Sequence, residues 1–412
     1  MKPTAALLAL LLSAAATPAF AQNEAAGAQP AAAKPGAEAK GPLPSKGAQK
    51  SLIALQKVIQ AKDAAAYPAA LAAAQAAATT NEDRYLIAQM QLSKGLADKD
   101  NAAMAAAVDA IATTGVLDSA TVADLFIGIG AEQYKAKQFD LAAASFERGL
   151  ALAPGNTEAM ANLAETRFAQ GRKEQAVPLL QKLIATDLAA GRKPREAVYR
   201  RAFAIAHSAR LPASADISRQ WLVSYPSTTS WRNALATYQN LNKPGTEQLL
   251  NLMRLMRAAG VLDNAIDISL YATAAFDQGN YSEAQTVVDE ALAKQTVSAN
   301  DRLVKEVVDA LKAKPKATAA DLETAVKDAK TAAAFVRIGD RYFGLGNYAK
   351  AIELYRAAEG KAGADANLIN MHLGMALARS GDKAGALEAF KKVTGPSAPV
   401  AQFWTIYVNQ AA

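Results

Sequence analysis

The sequence has no cysteine, which excludes disulfides, thiolate nucleophiles, cysteine-held metals and lipid attachment at a processed N-terminus. Histidine is nearly as scarce, with only His207 and His372, 165 positions apart. There is no HExxH, no GxSxG and no Walker phosphate loop. Metal sites and acid–base pairs need clustered groups, so these gaps point away from an enzyme, a metal and a cofactor. Residues 344–349 do fit GxGxxA, but that fingerprint works only after a strand, and the flanking pattern here is helical. Asp98 and Asp100 are spaced like calcium-loop ligands yet lack the loop's glycine and closing glutamate. Period-two runs of Val, Ile and Thr are also missing, while alanine is abundant. The chain reads as all-α.

Neither sign of charge dominates. Lys and Arg number 45 against 38 Asp and Glu, a net charge of +7 over 412 residues. That is too little to mark a nucleic-acid binder and implies at most weak attraction to anionic surfaces such as envelope lipids. Residues 1–21 have the form of an export signal: Lys2, an apolar run from Ala5 to Ala16, then Ala19-Phe20-Ala21 as a cleavage site after Ala21. The run falls short of the roughly 20 residues that cross a bilayer, so no transmembrane anchor is expected after cleavage. The expected location is a bacterial periplasm, with secretion as the alternative. Residues 22–47, rich in Ala, Pro and Gly, are expected to be a disordered tether, because they bury too little apolar area to offset the entropy of ordering.

What the sequence does have is a repeated helical hairpin. In the stretch 335–358, Phe335, Ile338, Tyr342 and Phe343 share one face of a helix. Gly346-Asn347 breaks it, and Ala351, Leu354, Tyr355 and Ala358 resume the period on a second helix. Small Gly339 and Ala351 let the backbones approach, and Tyr342 and Tyr355 fill the space beside them. The register recurs. Gly130, Tyr134, Ala142, Phe146 and Leu150 are answered 34 residues later by Ala164, Phe168, Ala176, Leu180 and Ile184. Amphipathic helices alone keep a 3.6-residue period without keeping such a register. Tyr271, Ala272, Phe276 and Ala284 with Gly279-Asn280, and Gly374, Ala386 and Phe390 with Gly381-Asp382, repeat it again.

This arrangement resembles the tetratricopeptide repeat, a helix–turn–helix unit of about 34 residues. The resemblance implies an α-solenoid of stacked antiparallel hairpins wound as a right-handed superhelix, and a protein-binding scaffold rather than an enzyme. On that reading residues 48–118 are divergent hairpins, 119–190 repeats, 191–265 irregular helical repeats and 266–396 repeats again. Residues 397–412 are then a capping helix with Phe403, Trp404 and Tyr407.

Two surfaces stand out as binding candidates. Tyr134, Phe168, Phe276 and Phe343 each come late in the first helix of a unit, where the family lines its concave groove. Lys135, Asn162, Glu165, Arg337, Asp340 and His372 would lie beside them as polar contacts. The alternative is that the rings only fill space between helices. The second surface is a basic patch of Arg192, Lys193, Arg195, Arg200, Arg201 and Arg210, suited to an acidic protein segment or lipid phosphate, or else a solvated helix face. Two functions are compatible with these features. One is a scaffold for protein–protein interaction in an envelope assembly. The other is an accessory subunit of a cell-wall or polysaccharide machine that recognises glycan or the enzyme that makes it.

Overall fold

The computed structural model describes residues 42–314 and 319–410. The expected export signal, residues 22–41 of the expected tether, and Pro315 lie outside them. Every regular element among the described residues is helical. The chain divides into two compact units, up to Ile217 and from Ser218.

In unit 1 the helices are α1 (Gln49–Gln60), α2 (Tyr67–Ala77), α3 (Asn81–Asp98), α4 (Asn101–Thr114), α5 (Ser119–Lys135), α6 (Phe139–Leu152), α7 (Thr157–Ala169), α8 (Lys173–Ala189) and α9 (Glu196–Ser208). The division falls within α10 (Ala213–Ser224). Each helix from α3 to α8 packs on the next, which makes unit 1 an all-α solenoid of stacked hairpins. Local chemistry starts the helices. Asp100, Asp118 and Asn156 each accept hydrogen bonds from backbone N–H groups of the following first turn, which otherwise have no partner.

Unit 2 contains α11 (Thr228–Asn242), α12 (Thr246–Ala258), α13 (Ala265–Asp277), α14 (Tyr281–Ala293), α15 (Arg302–Lys312), α16 (Ala319–Asp328), α17 (Ala332–Gly344), α18 (Tyr348–Glu359), α19 (Ala366–Ser380), α20 (Lys383–Lys391) and α21 (Ala398–Gln410). Helices α13/α14, α17/α18 and α19/α20 form antiparallel hairpins, α14 packs on α17 and α18 on α19. This unit too is an all-α stack.

The hairpins close by a small residue facing a ring 16 positions on. A Cβ at Gly130 would stand 2.7 Å from Phe146, one at Gly339 2.5 Å from Tyr355, and one at Gly374 2.6 Å from Phe390. All three rings are buried, as is Ala351. Gly344 has a similar use between hairpins, since its Cβ would meet Glu283 Cβ at 2.6 Å. In the segment that fits GxGxxA, a helix and not a strand comes first, and this glycine serves packing.

Three segments carry more structure than their sequences imply. The expected tether extends to residue 47, but Ser45 is tied down: its N–H and hydroxyl each donate to the buried Asp83 carboxylate at 2.8 Å. Burial would raise the Asp83 pKa. The N–H groups of Ser45, Thr79 and Thr80 and the Ser45 hydroxyl outweigh it and hold the group well below the usual carboxylate range. Next, the irregular stretch 191–265 is irregular for a reason. Seven successive residues of α12, Leu250 to Met256, are at most 3% exposed. This helix packs on α11 and α13 like other members of the stack and also on α21, which closes its remaining side. Finally, the terminal helix α21 does more than cover an end. It packs on α20 and reaches back to α12, where Trp404 Nε1 donates to the Asn251 carbonyl at 3.2 Å. Trp231 and Tyr238 of α11 meet Tyr407 and Phe403 edge-on at 6.2 and 5.7 Å, and Gln410 Nε2 donates to the Leu222 carbonyl at 3.1 Å.

Candidate functional site

The residues assigned to a single groove fall into two surroundings. In unit 1, Tyr134, Asn162, Glu165 and Phe168 are half-buried and Lys135 is exposed, where it pairs with Glu132 at 2.7 Å. Arg201 of α9 lays its guanidinium 4.1 Å from the centre of the Phe168 ring. The same group donates to both Glu165 oxygens at 2.7 Å. Arg201 therefore joins the groove set and leaves the basic patch, because its charge is spent on Glu165. Arg192 is likewise paired with Asp187 at 2.6 Å, and Lys193 also has a partner. Arg195, Arg200 and Arg210 are exposed. Burial raises the Tyr134 pKa, and the Glu165 charge adds to it.

The rings answer part of the question the sequence left open. Tyr134 lies 5.4 Å from Phe139, Phe276 5.1 Å from Tyr281 and Phe343 5.3 Å from Tyr348, each pair five positions apart across a hairpin turn. These three rings pack their own turns. Phe168 has no such neighbour, and Arg201 covers it instead. Phe276 also carries Lys314 over its face at 5.1 Å.

Unit 2 corrects the groove assignment further. Asp340, Phe343 and His372 are buried, and Arg337 is exposed. The three buried side chains cannot line an open groove, and Arg254 of α12 already packs on Asp340 and Phe343. Arg254 of α12 donates through Nε and one terminal nitrogen to the two oxygens of Glu283 at 2.9 and 2.8 Å. Its other terminal nitrogen lies 3.6 Å from Asp340, and its plane sits 4.7 Å from the Phe343 ring centre. Tyr271 donates to Glu283 and Tyr355 to Asp340, both at 2.8 Å. His372 Nδ1 lies 2.8 Å from Asp340, but at an angle that makes no hydrogen bond, and its Nε2 has no partner.

The electrostatics follow from burial and charge together. Burial opposes the Arg254 charge, yet Glu283 and Asp340 outweigh it and push its pKa well up. Burial also opposes an ionised Asp340, whose pKa is nonetheless lowered by the His372 ring and Arg254. Tyr271 and Tyr355 are raised by burial first and by the neighbouring carboxylates second. Such a network can hold charges in fixed register. Among the described residues, no three His, Asp or Glu side chains gather as a metal would need. A cleft of about 420 Å³ between α2, α3 and α4 holds Asp98, which is engaged by Lys94.

The two units share one register. Glu165 and Asp340 each follow the small residue of a first helix, and Phe168 and Phe343 each come three residues later. In each case the first helix of the next pair supplies the basic side chain, Arg201 from α9 or His372 from α19. Arg254, Glu283 and Asn251 were not singled out by sequence reasoning. Their signal was the run 249–256, apolar around the whole helix apart from Asn251 and Arg254.

Two family profiles, each described as tetratricopeptide repeat, match residues 133–190 and 336–399. These two stretches carry tetratricopeptide repeats. Solved structures similar to it include a tetratricopeptide repeat protein from Parabacteroides merdae, at 12% identity over 71% of this chain and 99% of that one, with a TM-score of 0.29. Others are the TPR2AB domain of yeast Sti1 in its pHSP90 complex, at 16% identity, 70% and 99% coverage and a TM-score of 0.25, and Naa15/Naa10 bound to HypK-THB, at 14%, 88% and 61%, and 0.36. A comparison with curated protein sequences found no match. Tetratricopeptide repeats are scaffolds for protein–protein interaction and are typically non-catalytic. No helix among the described residues is long and apolar enough to cross a membrane.

Proposed function

We propose that this protein is a non-catalytic, exported scaffold that binds another protein on the inner face of unit 1, within an envelope assembly of the bacterial periplasm. One observation carries the choice of surface. In unit 2 Asp340, Phe343 and His372 are buried, with Arg254 of α12 against the first two, whereas Tyr134, Asn162 and Phe168 in unit 1 stay half-buried. Rings, an amide and a tethered ion pair suit a partner segment with both apolar and polar side chains. The N-terminal sequence supports export.

Site-specific photo-crosslinking tests this. A crosslinker at Asn162 should trap a discrete partner in intact cells, one at exposed Arg337 should not, and Phe168→Ala should reduce the Asn162 product. Equal labelling from both positions refutes the assigned surface. Cell fractionation tests the location, and a cytoplasmic, uncleaved product refutes it. Recognition of cell-wall glycan is the second reading, because stacked rings serve sugars as well. Retention on purified cell-wall matrix that Tyr134→Ala abolishes would favour it over a protein partner.

A further inference from the structure

Helix α12 packs on α11, α13 and α21 and is enclosed by unit 2. Its specific contacts come from distant parts of the chain: Glu283, 29 residues on, Asp340 and Phe343 on α17, and Trp404, 153 residues on. A helix that merely completed a core would offer leucine or methionine at every position, since buried ion pairs rarely stabilise more than apolar side chains of the same volume. Instead α12 offers Asn251 and Arg254 at the centre of its buried run. Asn251 Nδ2, like His372 Nε2, finds no hydrogen-bond partner, so the packing is not fully satisfied. Left-handed residues bound the segment on each side, Lys243 at φ 43° and Gly260 at φ 70°.

We propose that the inner face of unit 2 is a helix-binding site, that α12 is the occupant it carries within its own chain, and that the partner it fits is an α-helix of the same chemistry: leucine and methionine on most sides and one arginine. The arginine is specified by three contacts at once. Glu283 takes a bidentate fork, Phe343 takes a flat cationic plane, and Asp340 adds a second carboxylate. A lysine ammonium cannot make the first two together. Replacing one such helix by another conserves the buried surface and the ion pair, so the occupant exchanges without the unit opening to water. In unit 1 Arg201 already fills the matching place on Phe168 and Glu165, so that face makes no demand for arginine from outside.

The test uses the full chain and a fluorescent peptide of residues 246–258, with the same peptide carrying Arg254→Ala as its control. Uptake is followed by anisotropy, and hydrogen exchange on an isotope-labelled chain distinguishes its own α12 from the peptide. Saturable uptake is expected, with loss of exchange protection at the chain's own Leu250 to Met256. The control peptide should bind about 10-fold or more weakly, and a Tyr134→Ala chain should take up the parent peptide unchanged. Any of four results overturns the proposal: no saturable uptake, equal uptake of both peptides, α12 protection that persists in saturating peptide, or uptake abolished by Tyr134→Ala. The last would place the peptide on unit 1 and leave the function proposed for that face standing.

Discussion

Two glycines of α5, Gly128 and Gly130, should respond in opposite ways to the same substitution. Either change to alanine brings the same intrinsic gain of about 1 kcal/mol for an interior helix position. The surroundings differ. A Cβ at Gly128 meets nothing within 4 Å, while one at Gly130 lands 2.7, 2.8 and 3.0 Å from three atoms of Phe146. Phe146 is 1% exposed and has no room to retreat. Overpacking of this kind costs about 1–3 kcal/mol. Because the propensity gain is common to both variants, Gly130→Ala should be less stable than Gly128→Ala by that full amount. For a unit of this size the gap is about 2–12 °C in melting temperature. Circular dichroism melts of the whole chain would read it, and hydrogen exchange at α5 and α6 would localise it, since stacked repeats need not unfold together. Phe146→Leu in the Gly130→Ala background should recover part of the loss. Equal stability of the two alanine variants would refute the claim that ring-on-glycine contact sets the hairpin spacing, and with it the same reading of Gly339 and Gly374.

Other consequences are more local. Lys137 adopts φ 59° at a turn where matching positions hold glycine, such as Gly171 and Gly346, so Lys137→Gly should stabilise by about 1 kcal/mol in urea titrations. The Asp83 pKa is lowered on folding, so its contribution is present above the unfolded carboxylate pKa of about 3.9 and lost as pH falls through the folded value. Asp83→Asn should therefore cost about 2–3 kcal/mol at pH 7 and progressively less in acid, seen as converging urea midpoints. Arg254→Met strands Glu283 and Asp340 without their guanidinium and should cost about 3–5 kcal/mol, much of it restored by adding Glu283→Met. If the double variant is no better than the single one by chemical denaturation, the ion pair is not what holds α12.

The hairpins were legible because everything that makes them is close in sequence. Helical period, capping Asp and Asn, a left-handed turn residue and a ring 16 positions from a glycine act within one unit, and a 34-residue return exposes their register. Tyr134, Phe168, Phe276 and Phe343 could be placed on matching helices for the same reason. Their surroundings could not. Whether Phe343 faces a groove or a buried guanidinium depends on Arg254, 89 residues earlier, and whether Glu165 is available depends on Arg201 in the next pair.

By itself, then, the sequence determined an all-α chain with tetratricopeptide hairpins in two stretches, since short-range sterics and hydrogen bonding settle each element before it meets the others. Only the tertiary structure decided which inner face is covered. That choice rests on side chains up to 153 residues apart, Asn251 and Trp404, brought together by burial that no local pattern encodes.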